Sequence, residues 1–146
     1  EWGMTQGFQN LPDKPIELVH VLVAEDNPLN QELVRCYFDQ IGCSVDLAED
    51  GIEAIRLFQL NRYDVVFLDC QMPKMDGLDA ARQIREFERL SGLRNSIPII
   101  ALTANSEESD REDCLSAGMN EWLTKPFTVD QLSSTLEQWL GADGAG

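Results

Sequence analysis

Three carboxylates, a hydroxyl and an ammonium stand at the ends of strand-like runs in this chain. Glu25 and Asp26 follow Leu18 to Ala24, Asp69 follows Val65 to Leu68, Thr103 follows Ile97 to Leu102, and Lys125 follows Glu121 to Thr124. Carboxylates gathered at one place repel and raise one another's pKa unless a cation joins them. Hard oxygen donors of this kind suit Mg²⁺, which keeps several waters and takes few carboxylates. A lysine beside such a site adds a second positive charge, and a threonine hydroxyl adds a neutral donor. Cation, ammonium and hydroxyl together match the oxygens of an incoming phosphoryl group. A carboxylate in that setting can act as nucleophile and form an aspartyl phosphate. Singly, each residue has a plainer reading: Asp69 ends a strand and caps the next turn, Thr103 is an N-cap, Lys125 is a solvated charge, and Glu25-Asp26 is a helix-capping pair. The chemistry exists only if the fold brings the five to one edge.

The elements that must do so are legible. Val65-Val66-Phe67-Leu68 is an unbroken β-favouring run bounded by turn residues, which reads as a strand buried on both faces of a parallel sheet. Leu18 to Ala24 reads as another. Asn27-Pro28 reads as an N-cap followed by proline at the first helical position, Leu29, Leu33, Tyr37 and Ile41 recur at fourfold spacing, and Gly42 ends that helix. Ser44 to Ala48 alternates as a second strand. A helix from about Gly51 to Asn61 is expected to pack through Ile52, Ile55 and Phe58. A third helix, near Leu78 to Leu90, shows Leu78, Ala81, Ile84 and Phe87. Ser91 to Ser96 is a polar loop, and Ile97 to Leu102 is the fourth strand. The helix near Ser106 to Ala117 has only Cys114, Leu115 and Ala117 as an apolar stripe, so it is the least firmly packed. Gly118 ends it, and Glu121 to Thr124 is a short fifth strand. Thr128 and Gln131 form a capping box before a last helix carrying Val129, Leu132, Leu136 and Trp139. Five β–α units in strict alternation imply a doubly wound α/β sheet, whose parallel strands deliver all five residues to one edge, where ligands of such sheets bind.

The 146 residues, 43% apolar, suffice for one domain with its own core. A net charge of −15 with 11 scattered Lys and Arg argues against nucleic acid as a partner. Cys36, Cys43, Cys70 and Cys114 show no C-x-x-C spacing, and His20 is the sole histidine, so zinc is not implied. Four buried free thiols in a reducing cytosol are the expectation. No run approaches the ~18 apolar residues of a membrane helix, and no signal segment opens the chain. The domain is expected over 18–140, with 1–17 a linker or tag remnant and 141–146 a flexible tail. Because the chain opens on Glu1, it reads as a piece of a longer protein or as carrying a short scar before Met4.

Taken together, Glu25-Asp26, Asp69 within Leu68-Asp69-Cys70-Gln71-Met72-Pro73-Lys74-Met75-Asp76-Gly77, Thr103 within Leu102-Thr103-Ala104-Asn105, and Lys125-Pro126-Phe127 resemble the receiver domain of two-component response regulators. The resemblance covers about Val19 to Leu140. It implies a five-stranded (βα)5 flavodoxin-like sheet of strand order 2-1-3-4-5. It also implies that Asp69 takes a phosphoryl group from a phosphohistidine on a histidine kinase or histidine phosphotransfer domain. Asp26, Asp69 and the Gln71 carbonyl would hold Mg²⁺, with Glu25 acting mostly through water, and Thr103 and Lys125 would grip the phosphoryl oxygens. The domain would catalyse only its own phosphorylation and dephosphorylation. Thr103 and Trp122 would form the switch, Trp122 standing where the family usually has Tyr or Phe. Gln71 and Asn105 fall where side chains flank the route of the hydrolytic water, and as uncharged amides they imply a phospho-form lasting minutes or longer. The Lys125–Pro126 bond is expected to be cis.

Ala24-Glu25-Asp26-Asn27-Pro28-Leu29-Asn30-Gln31 and the loop before the fourth strand look like the version found in hybrid sensor histidine kinases; a stand-alone single-domain regulator is the alternative. The expected location is the cytoplasm, in a parent chain that can be membrane-anchored, with no insertion by this domain and weak homodimerisation allowed. Three other readings fit less well. A non-covalent flavodoxin-like binding module needs a phosphate loop where Glu25-Asp26-Asn27-Pro28 stands. A dehalogenase-type hydrolase needs a second Asp where Gln71 stands. A degenerate receiver would lack one of the five residues. His20, at the start of a buried strand, reads as a core-edge histidine and not as a phosphotransfer residue.

Overall fold

The computed structural model describes residues 15–72, 74–92, 96–104 and 108–140. Residues 1–14 of the expected linker, the tail, most of the loop between Ser91 and Ser96, Pro73 and Asn105 lie outside the described residues. A 3-10 turn, Ile16–Leu18, leads into β1 (His20–Ala24), α1 (Pro28–Ile41), β2 (Ser44–Ala48), α2 (Gly51–Leu60) and β3 (Val65–Asp69). Next come α3 (Gly77–Ser91), β4 (Ile99–Thr103), α4 (Glu108–Ser116), β5 (Glu121–Thr124) and α5 (Val129–Leu140). All strand pairs are parallel, in the order β2-β1-β3-β4-β5. The strand order reverses between β1 and β3, so the crevice beyond their carboxyl ends is the position where such folds bind ligands.

The central strands are apolar over residues 21–24, 65–68 and 99–102 because both of their faces are covered. Leu22, Ala24, Val66, Leu68, Ile99 and Ala101 pack on one side with Ala54 and Phe58 of α2, Ala80, Ala81 and Ile84 of α3, and Cys114 of α4. Val21, Val23, Val65, Phe67, Ile100 and Leu102 pack on the other with Val34 and Phe38 of α1 and Leu132, Leu136 and Leu140 of α5. Burying each such large aliphatic or aromatic side chain contributes roughly 1.5–3 kcal/mol.

Local signals set the helix ends that frame the edge. Asn27 Oδ1 accepts from Leu29 N at 2.8 Å and Asn30 N at 3.2 Å, with Pro28 at the first helical position. Gly42 closes α1 in the left-handed region at φ 101°. Thr128 Oγ1 accepts from Gln131 N while Gln131 Oε1 accepts from Thr128 N, the reciprocal box that opens α5. The Lys125–Pro126 bond is cis.

Several expectations are corrected. Leu29 and Leu33 are 80% and 47% exposed, because α1 turns its Val34/Phe38 stripe to the sheet. The same rotation exposes Cys36, so the expectation of four buried thiols fails. Ile52 faces outward on α2, which packs through Ala54 and Phe58. The first strand starts at His20, since Ile16–Leu18 curls into the 3-10 turn and leaves Leu18 exposed. The fourth starts at Ile99, immediately after Pro98, which has no N–H to give a ladder. The helix expected near Ser106 to Ala117 is described from Glu108 to Ser116.

Gly77 is required by space. It opens α3 against the backbone of Asp69, and a Cβ added there would collide with the Asp69 carbonyl. Gly77→Ala should therefore cost about 1–3 kcal/mol, the range of overpacking, and displace the Asp69 backbone. Urea denaturation checks it: an unchanged midpoint would show that this approach can relax freely.

Candidate active site at the carboxyl edge of the sheet

The strand ends bring the five expected residues to one edge of the sheet, where the Lys125 ammonium joins two of the acids. Lys125 Nζ lies 2.8 Å from Asp69 Oδ2 and 3.0 Å from Glu25 Oε1, so it bridges the ends of β1 and β3. Lys125 is itself held by its backbone N–H, which donates to the Thr103 carbonyl at 2.7 Å. Ligand oxygens of Glu25, Asp26 and Asp69 lie within 4.8 Å of one another. Glu25 and Asp69 are buried and Asp26 is exposed, so the cluster opens outward. An open cleft of about 370 Å³, lined by Asp26, Cys70, Gln71, Met72 and Asp76, leads to it.

Glu25 is 1% exposed and its oxygens are engaged. Oε1 takes Lys125, while Oε2 accepts from Asn27 N at 3.2 Å and Asn30 Nδ2 at 3.3 Å. Its carbonyl accepts from Gln31 Nε2 at 2.6 Å. The first turn of α1 thus fixes the acidic pair, a role of Asn30 and Gln31 that sequence reasoning missed. The signal was present: two amides one turn beyond an N-cap that directly follows paired acids.

Asp69 Oδ1 accepts from Gln71 N at 3.0 Å. Burial pushes the Asp69 carboxyl above the usual carboxylate range; Lys125 and the Gln71 amide pull it back without cancelling that push, and Glu25 adds to it. For Lys125, burial works against the charged form, yet its bonds to Asp69 and Glu25 prevail and hold the ammonium above its ordinary value. Two buried carboxylates thus share a single cation, which leaves the site short of positive charge. A hard divalent cation fits that donor set and its open side.

Thr103 is buried at the end of β4, in register with Thr124. Trp122 pairs with Ala101, two residues back, so Thr103 and Trp122 share one face of the sheet as diagonal neighbours. Trp122 is half-buried, and the Arg111 guanidinium of α4 sits 4.7 Å from its ring centroid, a cation–π contact across the β5–α4 interface. His20 lies at the opposite edge, 3.0 Å from Asp46 Oδ2 and stacked near Tyr63, as a core-edge histidine should.

A doubly wound parallel sheet with buried acids and a bridging lysine at its switch point defines a class that matches known proteins closely. A family model described as the response regulator receiver domain matches residues 21–137. The chain belongs to that family and is a receiver domain of two-component systems. It is 41% identical over 138 residues to "Probable histidine kinase 2" of Oryza sativa subsp. indica, covering 85% of this chain and 13% of that protein's length. Among solved structures, it is similar to the receiver domain of sensor histidine kinase PA1611 from Pseudomonas aeruginosa PAO1, which has a magnesium ion coordinated in its active-site cleft. That match has 42% identity and a TM-score of 0.76, over 86% of this chain and 99% of that one. It is also similar, at 32% identity and a TM-score of 0.81, to a chain in the Saccharomyces cerevisiae complex of the phosphotransfer protein Ypd1 with the receiver domain of Ssk1. That match covers 87% of this chain and 92% of that one.

Proposed function

We propose that Asp69 accepts a phosphoryl group from a phosphohistidine on a partner protein, with Mg²⁺, and that the domain serves within a hybrid sensor histidine kinase. The observation that carries this reading is the Lys125 bridge from Asp69 to Glu25 beside exposed Asp26. Asp26, Asp69 and the Gln71 carbonyl would hold the ion, with Glu25 behind them. When bound, it neutralises the acids and the phosphoryl charge. Asp69 attacks phosphorus through a carboxylate oxygen; the P–O bond forms as the P–N bond to the partner's imidazole breaks, and the ring nitrogen keeps the electron pair. Lys125 and Thr103 hold the phosphoryl oxygens. The expected location remains the cytoplasm.

The surface beside the cleft supports a protein donor. Leu29 and Leu33 stand exposed on α1, and a hollow of about 320 Å³ lined by Leu33, Val34, Tyr37, Pro126 and Phe127 adjoins Lys125. An amphipathic helix laying an apolar stripe there would bring its histidine to Asp69. Similarity to a histidine kinase of which this chain spans 13% supports the hybrid parent over a stand-alone regulator.

Incubation with Mg²⁺ and a small acyl phosphate should add one phosphoryl mass, and chelating the metal should prevent it. With Gln71 offering an amide and no general base, phosphate release should then take minutes or longer. Decay within seconds would contradict that role for Gln71, and no added mass would contradict the acceptor function itself.

A further inference from the structure

Cys70 and Cys114 are far apart in the chain, yet their Sγ atoms lie 3.8 Å apart. Cys70 directly follows Asp69, and Cys114 lies in the last turns of α4. Sulfurs in a disulfide are about 2.05 Å apart, so closure needs a movement of less than roughly 2 Å. The helix that must move is suited to it, since in the stretch Arg111–Ser116 only Cys114 is buried. Access differs between the two thiols. Cys70 is half-buried and lines the acceptor cleft, whereas Cys114 is 3% exposed behind it. That arrangement gives one sulfur open to a small reagent and a second placed to resolve the adduct that forms there.

We propose that Cys70 and Cys114 form a modification site at which a small-molecule disulfide oxidises the pair to an intramolecular disulfide, tying α4 to the acceptor end of β3 and blocking the response to phosphorylation. The blocking half rests on the acceptor reading of Asp69; the bond itself does not. In the first exchange the Cys70 sulfur, having lost its proton, attacks one sulfur of the reagent. The reagent's S–S bond breaks, one small thiol leaves with a proton, and a mixed disulfide remains on Cys70. The Cys114 sulfur then attacks the Cys70 sulfur, and the second small thiol leaves with the proton from Cys114. Two protein thiols are oxidised and one reagent disulfide is reduced to two thiols. Arg111, on the tethered helix, is the residue stacked on Trp122, so fixing α4 holds the switch face as it stands.

The test uses the full chain with Cys36→Ser, to remove the exposed thiol, and with Trp2→Phe and Trp139→Phe, so that Trp122 alone fluoresces. After incubation with oxidised glutathione and alkylation of remaining thiols, peptide mapping should find Cys70 joined to Cys114, and a reductant should separate them. With Cys114→Ser added, glutathione should instead remain on Cys70. Beryllofluoride with Mg²⁺ should shift Trp122 emission in the reduced protein, fail to do so in the oxidised protein, and do so again after reduction. If no Cys70–Cys114 peptide forms under conditions that modify Cys36 in the original sequence, the site is overturned. A cross-link that leaves the emission shift intact overturns the blocking. Absence of any shift in the reduced protein with beryllofluoride bound makes Trp122 core packing and overturns the blocking through this face. Failure to bind beryllofluoride counts against the acceptor reading, and the linkage map still decides the bond.

Discussion

Asp69→Asn should leave the protein unable to take a phosphoryl group and, without Mg²⁺, more heat-stable than the original sequence. The sign comes from the raised folded-state pKa of Asp69, whose first cause is burial. A carboxyl that binds its proton more tightly when folded favours folding while protonated, and that advantage is lost as pH rises from the ordinary carboxylate range through the folded value. At neutral pH, above the ordinary carboxylate range, that advantage is gone and burial of the carboxyl opposes folding. An amide has the same shape and no charge to desolvate, so the melting temperature at pH 7 should rise by about 2–5 °C. Mg²⁺ should stabilise the original sequence and leave the variant nearly unaffected, because cation binding relieves the same charge. A variant less stable than its parent in metal-free buffer would show that the Lys125 bridge outweighs the desolvation of Asp69.

Lys125→Met should act in the opposite direction. It keeps most of the side-chain volume but leaves Glu25 and Asp69, 2% and 8% exposed at their side chains, with no ammonium between them. Removing one partner from a buried ion pair strands the other charge, and with Lys125 itself 25% exposed the loss should be about 2–4 kcal/mol. The raised pKa of Lys125 places this contribution below the ordinary lysine value, and it is lost as pH rises through the folded value, so neutral pH shows it in full. Millimolar Mg²⁺ should restore part of the stability and none of the phosphoryl acceptance. Denaturation with and without the ion checks both. An unaltered midpoint would mean that the acids are solvated enough to do without a counter-charge.

The contrast between these two variants explains how much was legible in the sequence. Charge-bearing residues at the ends of apolar runs are visible one strand at a time, and parallel topology alone puts them on one edge. The caps at Asn27, Gly42 and Thr128/Gln131 are equally local. Tertiary choices were hidden. Helix α1 carries two apolar stripes, Leu29/Leu33 and Val34/Phe38, and only the position of the sheet selects the second as core. Ile52 lost its expected place to Ala54, because α2 turns its Ala54/Phe58 side to the core and leaves Ile52 outside. The Cys70–Cys114 pair and the Arg111–Trp122 stack each join separate units, so neither leaves a mark in local spacing.

The most direct measurement is to locate the phosphoryl group. After incubation with Mg²⁺ and a small acyl phosphate, borohydride reduction converts an aspartyl phosphate to homoserine, and peptide mass spectrometry reads its position. The structure predicts a single conversion, at residue 69, that disappears when Mg²⁺ is chelated. Conversion at Asp26 or elsewhere, or none while the folded protein demonstrably binds Mg²⁺, would contradict the assignment of Asp69 as the acceptor.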